Sequence, residues 1–221
     1  MTDFSTARQK MVDGQVRPSD VTDLRIIDAM VEIPRELFVP ESRRALAYLD
    51  LDLDVSEPGT PKRCLIKPAV LAKMLQAADI KHTDNVLVVG CATGYSVAVA
   101  TRLAGRVTAT EGVPSLAGKA ADALAKLGCA NAAVRNAAAA EGNRTDAPYD
   151  VIVLDGATEV VPEGLYQQLA EGGRLVGVFA TDAPSRAVIV THSHADFGHR
   201  ALFDASAPVL PGLERTPAFV F

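Results

Sequence analysis

The 221-residue sequence has no apolar run near the roughly 18–20 residues needed to cross a bilayer. Its opening, MTDFSTARQKM, lacks the apolar segment of a secretory leader. The three cysteines, Cys64, Cys91 and Cys129, are odd in number and form neither a CxxC pair nor a paired Cys/His spacing. These absences argue against a disulfide framework and a structural zinc, and they favour a reducing, cytoplasmic setting. Basic clusters are scarce too. Formal net charge is −5, and the one local cluster is PKRC, with Lys62 and Arg63, followed by Lys67. That balance excludes a broad nucleic-acid surface. The three cations read either as a solvated loop or as an attractant for an anionic acceptor. His192, His194 and His199 lie in THSHADFGH without helical metal-ligand spacing, so no metal is expected. There are no repeats, and the one biased stretch is NAAAAEG at 136–142. The GxGxxG frame of a dinucleotide site is also missing, which counts against a nicotinamide-dependent dehydrogenase.

What is present is an ordinary globular composition, 48% hydrophobic and 22% charged, over a length that suits one domain. The first third reads helical. STARQKMVDGQV carries a Ser/Thr start signal, and PSDVTDLRIIDAMVEIP keeps apolar residues at helical spacing as far as Pro34. RELFVPESRRALAYLD continues in short helical pieces. LDLDLDV, 49–55, alternates apolar and acidic residues with the period of a strand. SEPGTPKR is a loop, and KPAVLAKMLQAADI a helix with Pro68 in its first turn.

From residue 84 the pattern changes. NVLVVG, RVTATE, AAVRN, YDVIVLD, GGRLVGVFA and RAVIVTH are short β-rich runs. YSVAVATRLAG, PSLAGKAADALAKLG and PEGLYQQLAEG separate the earlier ones as helices. Such alternation predicts parallel βαβ units wound on both faces of a sheet, ending in antiparallel strands, with RTPAFVF as a terminal strand.

In an open α/β sheet ligands sit beyond the carboxyl ends of the strands. The first strand–helix turn there is GCATGY, 90–95, whose glycines let backbone approach a ligand beside a helix N-terminus. Glu111 ends the next strand, 21 positions after Gly90, where an acid can accept hydrogen bonds from both ribose hydroxyls. Loop and acid together suit an adenosine ligand, and the GxGxG-like spacing favours S-adenosylmethionine over a dinucleotide. Asp155, at the end of YDVIVLD, falls beside the position of a sulfonium; the competing reading is a turn or capping residue.

IPRELFVP with AYLDLDLDV, VLVVGCATGYSVAVATRLAG, VTATE, LGCAN and APYDVIVLDGATEVVPEGLYQQLAEGGRLV keep one order and spacing. In these pieces the sequence resembles the protein-L-isoaspartate O-methyltransferase family over nearly its whole length. The resemblance implies a doubly wound, mostly parallel seven-stranded Rossmann-like α/β sheet with an N-terminal helical extension, in one domain. Residues 1–80 would form the helical and acceptor side, and 81–221 the cofactor-binding sheet. It also implies transfer of a methyl group from S-adenosylmethionine to the carboxylate of isoaspartyl residues in damaged proteins, a repair reaction with S-adenosylhomocysteine as product. The partners would be isoaspartyl proteins or peptides, with no nucleic acid and no membrane.

Carried onto this sequence, the resemblance puts Gly90, Cys91, Ala92, Thr93, Gly94 and Tyr95 around the cofactor's methionine part. Glu111 and Gly112 fall at the ribose, and Ala138 and Ala139 beside the adenine. Cys64, Leu65 and Lys67 fall at the acceptor, around Ile66, which stands where the family has its active-site serine. Four positions depart from the family pattern. Val88 replaces an acid, Ala92 a glycine, Ala137–Ala139 a Gly-Asp-Gly turn, and Ile66 the serine. A lost buried hydrogen bond at Ala138 costs roughly 0.5–1.5 kcal/mol, and a lost charge-assisted contact at Val88 roughly 1.5–3 kcal/mol. The alternatives are therefore a methyltransferase with another acceptor, using Asp155 as base, or a non-catalytic relative that has lost cofactor binding.

Overall fold

A computed structural model describes residues 3–194 and 196–216. Residues 217–221 of the expected terminal aromatic strand lie outside that range. A small antiparallel pair, β1 (Leu53–Asp54) and β2 (Cys64–Leu65), stands apart from the main sheet. The main sheet contains β3 (Asn85–Val89), β4 (Arg106–Glu111), β5 (Ala132–Asn136), β6 (Tyr149–Thr158), β7 (Leu169–Phe179), β8 (Arg186–Ser193) and β9 (Asp196–Asp204). Their order is β5-β4-β3-β6-β7-β8-β9. The first five are mutually parallel, and β8 and β9 add on antiparallel. Strand order reverses between β3 and β6, so the crevice beyond their carboxyl ends is where this architecture binds ligands.

Continuous apolar runs build the central strands because both faces are covered. Val86 and Val88 of β3, with Val151 and Val153 of β6, join one core; Leu87, Val89, Ile152 and Leu154 join the other. The first core lies under α3 (Pro68–Ala78), α4 (Tyr95–Thr101) and α5 (Pro114–Lys126). The N-terminal helices α1 (Phe4–Met11) and α2 (Leu24–Glu32) close over it from outside. Every residue of α4 is buried, which explains why YSVAVAT shows no polar face. The second face is covered more thinly, by the single turn α6 (Glu163–Tyr166), Ala139, and Leu210 and Leu213 from the segment after β9.

Three sequence expectations are corrected. LDLDLDV is not a strand over 49–55: only Leu53 and Asp54 pair, with Leu65 and Cys64. The earlier residues form a turn, Leu49 is exposed, and Asp52 instead uses its carboxylate to accept the Lys67 amide at 3.0 Å. Alternation without a neighbouring backbone to bond makes no strand. PEGLYQQLAEG is not a helix of a dozen residues either. It stops after one turn because Gln168 turns inward, donating to the carbonyls of Glu141 and Gly164, and Leu169 already pairs with Tyr149. The strand expected to end at Asp155 runs on to Thr158 through a register shift between Val153 and Ala157.

Candidate active site

The turn after β3 reverses the chain at Gly90 (φ +71°) and starts α4 after Gly94. Its stereochemistry is held from β4. Glu111, only 1% exposed, accepts the Ala92 amide at 2.7 Å and the Val113 amide at 3.0 Å. One carboxylate thus ties the first loop of the sheet to the second. Ala92 has φ +49°, a left-handed conformation that costs a residue with a Cβ roughly 1–2 kcal/mol. Val88 is fully buried in the sheet core, so organising the loop falls to Glu111.

Glu111 is paired. The Arg63 guanidinium, 2% exposed, lies 3.1 Å from Oε2 through Nη2 and donates from Nε at 3.1 and 3.3 Å; its Nη2 also donates to the Gly90 carbonyl. The expectation that Arg63 belongs to a solvated basic loop is therefore corrected. The loop Ser56–Arg63 folds back onto the sheet, its Glu57 accepting from Ser115 and Lys119 of α5. Desolvating a guanidinium is tolerable only against an acid and carbonyls, and this corner supplies both.

Between that loop and the strand ends lies a cavity of 440 Å³, within the roughly 300–1,000 Å³ common for small-molecule sites. It brings together Gly90, Glu111, Gly112, Ala138 and Ala139, all expected from sequence, with Arg63 and Leu210, which were not. Leu210 arrives because the chain after β9 returns beside β6, with the Leu210 amide donating to the Ala157 carbonyl at 2.9 Å. A Cβ on Gly156 would sit 2.7 Å from Leu210 Cδ2, so that return needs glycine. Neither residue carries a local signal. Arg63 meets Glu111 across 48 positions, and Leu210 sits beyond the hairpin in a stretch without periodicity.

The other expected residues lie elsewhere. Cys91 and Ala92 are buried beneath the loop. Thr93 donates to the Phe38 carbonyl at 2.6 Å, and Tyr95 packs edge-on against Phe38 with Arg35 stacked 4.6 Å from its ring centre. Both therefore join the sheet to the N-terminal region and do not line the cavity. Cys64, Leu65 and Ile66 are buried, and burial pushes the Cys64 thiol up to about 11. The Ile66 carbonyl accepts from Arg35 at 2.9 Å. Lys67 is half-buried at the start of α3. Asp155 is 2% exposed and accepts a 2.6 Å hydrogen bond from Ser96. Burial pushes its pKa up to about 6, against the opposing pull of Ser96, Arg63 and Arg35.

The profile of the protein-L-isoaspartate(D-aspartate) O-methyltransferase family matches residues 6–194. Protein-L-isoaspartate O-methyltransferase 1 of Rhodopseudomonas palustris (strain HaA2) is 38% identical, over 88% of this chain and 78% of that protein. Protein-L-isoaspartate O-methyltransferase of R. palustris (strain ATCC BAA-98 / CGA009) is 36% identical, over 92% and 93%. Among solved structures, a protein-L-isoaspartate O-methyltransferase superposes with a TM-score of 0.83 at 24% identity, over 94% of this chain and 67% of that one. A Plasmodium falciparum protein assigned as a beta-aspartate methyltransferase, solved in complex with S-adenosyl-L-homocysteine, gives 0.76 at 18% identity, over 92% and 97%. The two structures establish the shared fold, and the profile and sequence relatives establish descent: the chain belongs to the protein-L-isoaspartate(D-aspartate) O-methyltransferase family.

Proposed function

We propose that the protein transfers a methyl group from S-adenosylmethionine to the carboxylate of isoaspartyl residues in damaged proteins. The observation that carries this reading is the cavity at the ends of β3 and β4, framed by Gly90, Glu111, Gly112 and Ala139, in a chain of this family. The residues fit the nucleoside half of such a cofactor. Gly112 is uncrowded, since a Cβ there would make only ordinary van der Waals contact at 3.7 Å with the Ala137 carbonyl, and Val113 and Ala139 give apolar walls. Glu111 would hold the ribose hydroxyls and Gly90 the amino-acid end; Cys91, Ala92, Thr93, Gly94 and Tyr95 would support that loop from beneath. The cofactor would supply an electrophilic methyl group.

The chain's own part would be positioning. An exposed carboxyl group is already ionised at neutral pH, so no strong base is required; alignment of acceptor oxygen with the methyl group and exclusion of water matter more. In this reading residues 1–80 form the acceptor side and 81–221 the cofactor side of one domain. Lys67 would attract the acceptor's charge, and the buried Cys64, Leu65 and Ile66 would support the segment that carries it. Asp155, held by Ser96, would shape the floor of the crevice. The working compartment would be the cytoplasm; among the described residues no helix is long and apolar enough to cross a membrane.

The test is methyl-ester formation on an isoaspartyl peptide and on its normal aspartyl twin, followed with isotopically labelled cofactor. Ester on the first alone is the expected result. Cofactor binding without ester on either peptide would overturn the acceptor assignment.

A further inference from the structure

We infer that Arg63 is a built-in competitor for the cofactor, so that its guanidinium and the bound nucleoside exclude one another. This rests on the cofactor reading above and concerns how tightly that site can be filled. A carboxylate offers about four acceptor positions. At Glu111 two are taken by the Ala92 and Val113 amides, and Arg63 covers the remaining side, its Nε–H shared between both oxygens and its Nη2 3.1 Å from Oε2. A pair of ribose hydroxyls would have to take the side of the carboxylate that Arg63 now covers. The same Nη2 caps the Gly90 carbonyl, which in the reading above would face the cofactor's amino-acid end. The space is filled as well: a single carbon added to Gly90 would lie 2.8 Å from Arg63 Nη2 and 2.5 Å from Leu210 Cδ2.

The guanidinium therefore does inside the protein what a cationic nucleoside would do from outside. It neutralises a buried acid and bonds the loop carbonyl. Arg63 has a route out, because it stands at the end of the Ser56–Arg63 loop, whose Gly59, Thr60 and Pro61 form the cavity's outer wall. Its backbone is anchored separately, with the carbonyl accepting from Val55 at 2.9 Å and the amide donating to Ser56 Oγ at 2.7 Å. The side chain can leave Glu111 while the β1–β2 pair stays intact.

The test is calorimetric titration of S-adenosylhomocysteine into the full chain and into Arg63→Gln, with Lys62→Gln as a control for net charge. Arg63→Gln is expected to bind at least tenfold more tightly, and Lys62→Gln to match the unmodified protein. Equal or weaker binding by a folded Arg63→Gln would overturn the inference while leaving the cofactor reading standing. Should Arg63→Gln fail to fold, the Arg63 Nε–H signal in nitrogen-15 NMR of the unmodified protein decides. Protection of that proton from exchange in the free protein, and its loss on saturation with S-adenosylhomocysteine, are expected; protection that persists would overturn the proposal. Absence of binding by every folded protein would defeat the cofactor reading, and this inference with it.

Discussion

Asp155 shows at the scale of one residue how the site is tuned. Enclosed and bonded to Ser96, its carboxyl group is pushed up to about 6, chiefly by burial. Between an unfolded value near 4 and that folded value, the folded chain holds the extra proton. The group's contribution to stability is thus greatest below about pH 4, falls as pH rises through 6, and is flat above; the span is roughly 3 kcal/mol. Asp155→Asn keeps an acceptor for Ser96 and removes the ionisation. It should be more stable than the parent by about 1–3 kcal/mol at pH 8 and about equal at pH 4, as read by urea unfolding. An equal gain at both values would mean the carboxyl is not tuned by burial. Ala92 illustrates the limit of reading such a site from sequence. Its identity flagged a departure from glycine, but only the fold shows φ at +49° and the Ala92 amide fixed on Glu111.

At the scale of elements, two joints hold the helical segments against the sheet. One is the end of α3, where Asp79 adopts φ +48° and its carbonyl accepts from Arg174 at 2.7 Å. Asp79→Gly should relieve the left-handed strain and raise stability by about 0.5–1 kcal/mol in thermal or urea unfolding, with its surface pair to Lys81 contributing little. The other is Arg35, wholly buried, which donates to the carbonyls of Ala47 and Ile66 and stacks on Tyr95. Arg35→Ala would strand two carbonyls and open a void, so a loss of roughly 3–5 kcal/mol is expected. Arg35→Lys should recover only part of it, since one ammonium cannot span both carbonyls in the guanidinium's plane. Strands and long helices were legible because their periodicity is local. Residues 49–55 and 162–172 misled because the local pattern there is overruled by distant partners: Asp52 caps the start of α3, and Gln168 braces the segment around Glu141.

Over the whole molecule, the parallel, doubly wound sheet with its antiparallel end was readable from residues 84–193, and so was the place of the ligand crevice; the order of the strands was not. Arg63 and Leu210 in that crevice were not readable, because they reach it from loops far away in sequence. Their arrival changes what the site is: a nucleoside-sized cavity whose anchoring carboxylate is already engaged. The thin second face, closed over Gly156 by the return of Pro208–Leu213, makes this closure depend on glycine. Gly156→Ala should cost about 1–3 kcal/mol and loosen that segment, seen as faster exchange of the Leu210 amide. The most direct measurement is a crystal structure of the protein grown with S-adenosylhomocysteine. The expected result is the nucleoside beside Glu111 and Gly112, with the Arg63 guanidinium withdrawn from the carboxylate. A structure at saturating ligand in which Arg63 still holds Glu111 and the cavity contains no nucleoside would contradict it.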